Sequence, residues 1–119
     1  GHAGQGNGEV DITALETSLT GTLQFIVRKD LHQTLPRAET PTAYISMGLN
    51  EDLTLAAKDA VREMIAFLVT EKHLTRDDAY MLCSVAGDLD VTQVVDGTRG
   101  AHMILPKSIF GKVKAAKKN

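Results

Sequence analysis

Between positions 53 and 74 the apolar residues Leu53, Ala57, Ala60, Val61, Met64, Ile65 and Leu68 recur at steps of three and four, the repeat of one helix face. Lys58, Asp59, Arg62 and Glu63 fall on the other side, where Asp59 can reach Arg62 and the chain can meet water. The spacing predicts a helix from Leu53 to Leu74. Asn50 is its expected N-cap, with negative charge from Glu51 and Asp52 in the first turn and positive charge from Lys72 and His73 in the last. So wide an apolar face needs a sheet to cover, and the apolar, β-branched runs on either side are the candidates.

Upstream, Val10, Ile12 and Ala14 share one alternation phase, and Leu15, Leu19, Leu23, Phe25 and Val27 share the opposite one. The flip predicts two strands, over 9–17 and 19–29, separated by a bulge or turn. Residues 30–41 carry Pro36 and Pro41 and no periodicity, and read as a connector; Thr42 to Met47 follows as a short strand. Downstream, Thr75 and Asp78 have the capping-box spacing of a second helix over 75–86, whose apolar face is Ala79, Leu82, Cys83 and Ala86. Gly87 stands where a helix end favours a left-handed residue, and Asp88 after it is expected to cap the next turn. Val91 to Val95 then reads as a buried strand, DGTRG as a loop, and Ala101 to Leu105 as the hairpin partner that Pro106 ends. The pattern as a whole predicts an α+β fold. It divides into a motif loop and β-strands over 1–41, an α+β unit with two helices on a sheet over 42–110, and a tail over 111–119.

Composition narrows the partners. Of 119 residues, 43% are apolar and 24% charged, and 13 basic residues against 15 acidic ones leave a net charge of -2. Such a field calls for neither nucleic acid nor an anionic membrane. The lysines of the tail, from Lys112 to Lys118, have no aromatics among them to stack bases and read as a solvated end. The single Cys83 excludes an internal disulfide and no apolar run is long enough to span a membrane, so a reducing cytoplasm is expected. The opening GHAGQGNGEV has neither the layout of a signal peptide nor a Met, which suggests a piece of a longer protein.

Several hydrolase solutions are missing from the sequence: no G-x-S-x-G elbow, no H-E-x-x-H and no zinc-binding cysteine pair. Cys83 and Ser84 lie within the second helix with no base beside them, and Cys83 is expected in the core. His32 and His73 are expected at the surface and His102 half-buried on its strand. The first nine residues differ in kind. Glycines at 1, 4, 6 and 8 let the backbone turn sharply, while His2, Gln5 and Glu9 offer an imidazole, an amide and a carboxylate within eight residues. By spacing alone this stretch is either a site or a glycine-rich tail.

HAGQGNGE at residues 2–9, followed by TALE, resembles the HAxQGxGE motif of the acetamidase/formamidase family. Tyr44 to Gly48, the helix from Leu53, and SVAGDLDVTQVVDGTRGAHMILPKSIF at 84–110 resemble that family's C-terminal region, in order. Asn7 departs from the motif, which commonly has Asp there, and if that Asp helps hold a metal the departure removes a charge. The resemblance implies a β-rich N-terminal region that would complete a β-sandwich with the front strands and supply further acidic and His residues to the site. It implies hydrolysis of short amides, formamide or acetamide, to ammonia and the carboxylate. In that reaction a divalent metal, zinc or another, can polarise the carbonyl, and a carboxylate can move protons to the leaving amine. By that likeness Glu9 takes the proton-transfer or metal-bound role, His2 the ligand role, and Gln5 the orientation of substrate or water, with Asp88 a weaker candidate. Expected partners are the small amide, the remainder of the same protein and further copies of it in a homo-oligomer. The competing reading is a non-catalytic α+β piece that folds and associates but lacks half the site.

Overall fold

The computed structural model describes residues 2–111, and side chains from residue 4 onward. The basic tail expected beyond Gly111 lies outside the described residues. The elements in chain order are β1 (His2–Gly4), β2 (Leu15–Glu16), β3 (Arg37–Glu39), β4 (Ala43–Asn50), α1 (Leu53–Lys72), α2 (Arg76–Ala86), β5 (Asp88–Gln93) and β6 (Arg99–Pro106), then a single 3-10 turn at Lys107–Phe110. The fold is α+β. Strands β3, β4, β6 and β5 lie side by side in that order, every neighbour antiparallel, and β1 with β2 makes a separate two-stranded ribbon.

The organising helix forms where its apolar repeat predicts. Ala56, Ala60, Met64, Ile65 and Leu68 are buried, Met64 at 1% exposure, against Ala101, Met103 and Leu105 of β6 and Ala79 and Cys83 of α2. Ala56 belongs to the seam in place of Leu53, Ala57 and Val61, which are only half-buried. Alternation on the sheet delivers the facing layer, with Tyr44, Ser46 and Gly48 of β4 paired to Leu105, Met103 and Ala101 under the helix. Ser46 is buried and polar, and its hydroxyl donates to the Ala60 carbonyl at 2.7 Å. Arg62 and Asp59 meet at 2.8 Å on the solvent side, as their spacing foretells.

The helix ends correct the sequence reading. The N-cap is Asp52, whose carboxylate accepts from the Leu55 N–H at 3.0 Å. Asn50 closes β4, and its side chain accepts from the Asp52 N–H at 2.9 Å, one step earlier in the same turn. Glu51 and Asp52 therefore precede the helix. At the other end His73 takes the left-handed conformation (φ 57°), and the Leu74 N–H reaches back to the Leu68 carbonyl at 3.3 Å. Lys72, in the last turn, donates to the Tyr44 hydroxyl at 2.8 Å and lies 5.2 Å above the Phe110 ring, tying the helix end to β4 and the 3-10 turn.

The second helix has its predicted cap, Thr75 Oγ1 accepting from the Asp78 N–H at 3.1 Å. Gly87 is not left-handed: it is extended (φ -93°, ψ 139°), and the chain passes straight into β5 at Asp88. Glycine is required there because a Cβ would meet the Cys83 backbone carbonyl oxygen at 2.7 Å as well as Met103 Sδ at 2.6 Å. Asp88 is consequently a strand residue and not a cap. Strand β5 is the sheet's edge, so Val91 is partly exposed rather than buried, and the hairpin loop shifts from 96–100 to 94–98 because β5 ends at Gln93 and Arg99 and Gly100 already belong to β6.

The front segment departs most. Of the strands expected over 9–17 and 19–29 only Leu15–Glu16 pairs, with β1. Residues 17–28 run without a ladder, and Leu19, Leu23, Phe25, Ile26 and Val27 are exposed, Phe25 at 88%. A strand needs a neighbour, and among the described residues none lies beside this run. The radius of gyration, 16.7 Å, exceeds the roughly 13–14 Å that this length gives when fully packed, as expected for a segment standing off the core. The connector, by contrast, holds a strand that its prolines concealed, since Arg37–Glu39 pairs with Tyr44 to Ser46 of β4. Arg37 also reaches Glu63 of α1 at 3.3 Å.

Candidate functional site

The glycine-rich opening folds back on itself. His2 pairs with Glu16 and Gly4 with Leu15, with an irregularity between them, so residues 5–14 form a loop closed at its base. The loop encloses a shallow cavity of about 370 Å³, lined among others by Gln5, Asn7, Glu9, Asp11 and Thr13. Asp11 stiffens its far side by accepting from the Ile12 N–H at 2.8 Å and the Thr13 hydroxyl at 2.5 Å.

Two contacts join this loop to the C-terminal sheet. Gly8 makes a parallel bridge with Gln93, and its carbonyl accepts from the Val94 N–H at 2.9 Å. Gln93 in turn orders the β5–β6 loop, its amide donating to the Thr98 carbonyl at 2.7 Å. Gly8 is buried and has φ 98°, a conformation that side chains rarely adopt, so a glycine is required at the bridge. Glu9 follows with φ 36°, also positive and costly for a residue with a Cβ. The carboxylate of Glu9, half-buried, is thus placed immediately beyond the point where the loop is pinned to the sheet.

Of the predicted site residues, Gln5 and Glu9 share the loop cavity. The His2 backbone lies in β1, while its side chain lies outside the described residues. Asp88 is exposed at the start of β5 and Ser84 is exposed on α2. Cys83 is buried, and its burial pushes the thiol up, away from the reactive thiolate. His32 and His73 are exposed and His102 is half-buried, as expected. Among the described residues no three His, Cys, Asp or Glu side chains converge as a metal site. Glu9 with these neighbours does not by itself fit a metal's donor set. The anchoring of Gly8 to Gln93 was not foreseen, and only the glycine at that position of the motif hints at it.

Comparison with protein families and with curated proteins yields no match. Solved structures do match. The acetamidase of Bacillus halodurans is 34% identical with a TM-score of 0.61, over 68% of this chain and 28% of its own. The acetamidase of Yersinia enterocolitica is 28% identical with a TM-score of 0.67, over 71% of this chain and 26% of its own. This chain is acetamidase/formamidase-like. It spans about a quarter of the length of the two acetamidases it matches, at 28% and 26%. Among the described residues no helix is long and apolar enough to cross a membrane.

Proposed function

We propose that this chain supplies one half of an amide-hydrolase site that acts on short aliphatic amides, formamide and acetamide, releasing ammonia and the carboxylate. The observation that carries the reading is the pinning of Gly8 to β5 in a chain similar to two acetamidases, because it anchors the backbone next to Glu9, itself at φ 36°, beside the loop cavity. Amide hydrolysis needs a base to take a proton from the attacking water and an acid to give one to the leaving nitrogen. Glu9 suits the first task, and Gln5, with both a donor and an acceptor, suits orientation of the carbonyl or the water. A divalent metal, zinc being one candidate, would be held by Glu9 and His2 with further donors from outside these residues, and would supply polarisation of the carbonyl.

The exposed run 17–28 supports a second component of the same reading, that a further segment of the protein covers this side and completes both a β-sandwich and the site. Among the described residues the cavity that Gln5 and Glu9 share is shallow and open, and a covering segment would be needed to enclose an amide against water. Further copies in a homo-oligomer and a reducing cytoplasmic setting, suited to a free buried Cys83, complete the proposal.

Ammonia release from formamide and acetamide tests it, comparing the chain joined to the N-terminal region that the resemblance implies, its Glu9→Gln variant and the 119-residue chain. The joined protein is expected to be active, Glu9→Gln to lose about two to four orders of magnitude, and the short chain to be nearly inactive. Unchanged turnover in Glu9→Gln removes Glu9 from the reaction, and full activity of the short chain overturns the shared site.

A further inference from the structure

Helix α1 has two flanks that differ in what lies beside them. On the β3 flank, Arg28 and Leu31, from the end of the exposed front segment, share a cavity with Tyr44 and Phe67. On the β5 flank lies an open groove of about 560 Å³, following α1 from Thr54 to Ile65 and bounded by Leu89 of β5 and Tyr80 of α2. Ala57, Val61 and Ile65, at steps of four, give its wall an apolar stripe. Leu89 and Val91 alternate onto the helix face of β5, opposite Met103 and Ala101, yet remain 48% and 37% exposed. The charges lining the groove are Lys58, Arg62 and Arg76 against one acid, Asp77. Arg62 is held by Asp59 at 2.8 Å, whereas among the described residues Lys58, Arg76 and Asp77 have no ion-pair partner.

The same chain exposes a surface of the opposite character. Helix α2 buries Ala79 and Cys83, and on its other side Asp77, Tyr80, Met81, Ser84 and Val85 recur at steps of three and four. Tyr80, Met81 and Val85 are 63%, 57% and 85% exposed, and Asp77 and Asp78 put negative charge at the head of this stripe.

We infer that the groove beside α1 receives α2 of a second copy of this chain, so that two copies pair about a two-fold axis. Three observations select this occupant. The lengths agree, since the wall from Thr54 to Ile65 and the 11 residues of α2 each span about 16 Å. The charges agree, since an acid-headed helix enters a groove lined mainly by cations, and Asp77 of one copy can meet Lys58 of the other. Asp77 and Tyr80 belong to both surfaces, so groove and stripe adjoin, and one axis lets each copy give and receive the same contact. Met81 and Val85 then leave water against Ala57, Val61 and Leu89, which supplies the apolar centre of the contact. The inference gives the homo-oligomer proposed above its contact surface; it rests on that part of the reading and on none of the amide chemistry.

The test uses the 119-residue chain carrying Phe25→Lys and Val27→Lys, which keep the exposed front segment from associating by itself. In sedimentation equilibrium this parent should pass from the mass of one chain to that of two as its concentration rises through about 10–100 µM, the range of a small interface. Val85→Lys, at an exposed position, should weaken pairing at least about tenfold and leave the urea midpoint unchanged. Lys58→Glu and Asp77→Lys should each weaken it as well. An equimolar mixture of those two sets unlike charges against each other at both contacts, and should pair like the parent. A parent that stays a single chain, assemblies that grow beyond two, full pairing in Val85→Lys, or a mixture no stronger than its components each overturn the inference. So does a Val85→Lys that, in the protein joined to its N-terminal region, lowers the melting temperature without changing the mass, because that region then fills the groove. None of these outcomes bears on ammonia release, by which the amidase reading stands or falls.

Discussion

A Cβ atom placed on Gly48 would lie 1.9 Å from the Ala56 carbonyl oxygen and 2.5 Å from the Ala60 nitrogen. Helix α1 therefore crosses β4 backbone against backbone, and no side chain fits at that crossing. Gly48→Ala must push the helix off the sheet or break the strand, and is expected to cost at least about 3 kcal/mol. A urea-unfolding loss below about 1 kcal/mol would mean that the helix can slide without penalty.

Met64 fills the middle of the same interface. Truncation to Ala removes buried apolar surface and leaves a cavity in the core cluster that Met64 shares with Leu68 and Leu105, so about 2–5 kcal/mol should be lost. Chemical denaturation of the two proteins reads this directly, and a loss under about 0.5 kcal/mol would put Met64 at the surface.

Ser46→Ala should cost much less, about 1 kcal/mol. The hydroxyl it removes is a buried donor to Ala60, but that carbonyl retains its partner within the helix. Matched melts of Ser46→Ala and Ser46→Val separate the lost hydrogen bond from overpacking, with the valine expected to be the worse of the two.

Cys83 gives the chain an alkaline sensitivity. Burial raises the folded thiol above its ordinary value of 9.0, so the folded state holds its proton at pH values where the unfolded chain has released it. The associated stability is complete below about pH 9 and is lost as pH rises from there toward the folded value. Urea midpoints of the parent and Cys83→Ala, measured from pH 7 to 10, should converge above pH 9; parallel curves would show that the thiol does not titrate differently on unfolding.

Gly8→Ala addresses the pinned loop alone. At φ 98° the added Cβ is strained, so the bridge to Gln93 should loosen while the core melts as before. In the protein joined to its N-terminal region, turnover should fall about tenfold or more with little change in melting temperature. Retained turnover would show that the bridge does not hold the site.

The α1 seam and the β5–β6 hairpin were legible because each carries its own periodicity and is completed by residues nearby in the chain. Asn50 and Asp52 competed for one cap, and spacing cannot say which of two adjacent turn-formers takes it. Gly87 was misread because a glycine after a helix can answer either to a left-handed backbone or to a crowding neighbour, here Met103 from another strand. Leu19 to Val27 alternate as a strand should, yet alternation reports only a willingness to pair, and the ladder depends on what lies alongside. At the candidate site, the glycines and polar groups of the opening marked the loop, whereas the bridge from Gly8 to Gln93 joins residues far apart in the chain, which no local pattern announces.

Residues 17–28 carry a further consequence, for how the chain behaves in the test tube. An uncovered β-branched run with Phe25 and Val27 in the open offers apolar side chains of high strand propensity to any identical copy. Concentrating the isolated chain should therefore drive strand-on-strand self-association that begins in this run, while the sheet bearing α1 stays folded. Lysine substitutions at Phe25 and Val27 should keep it dispersed.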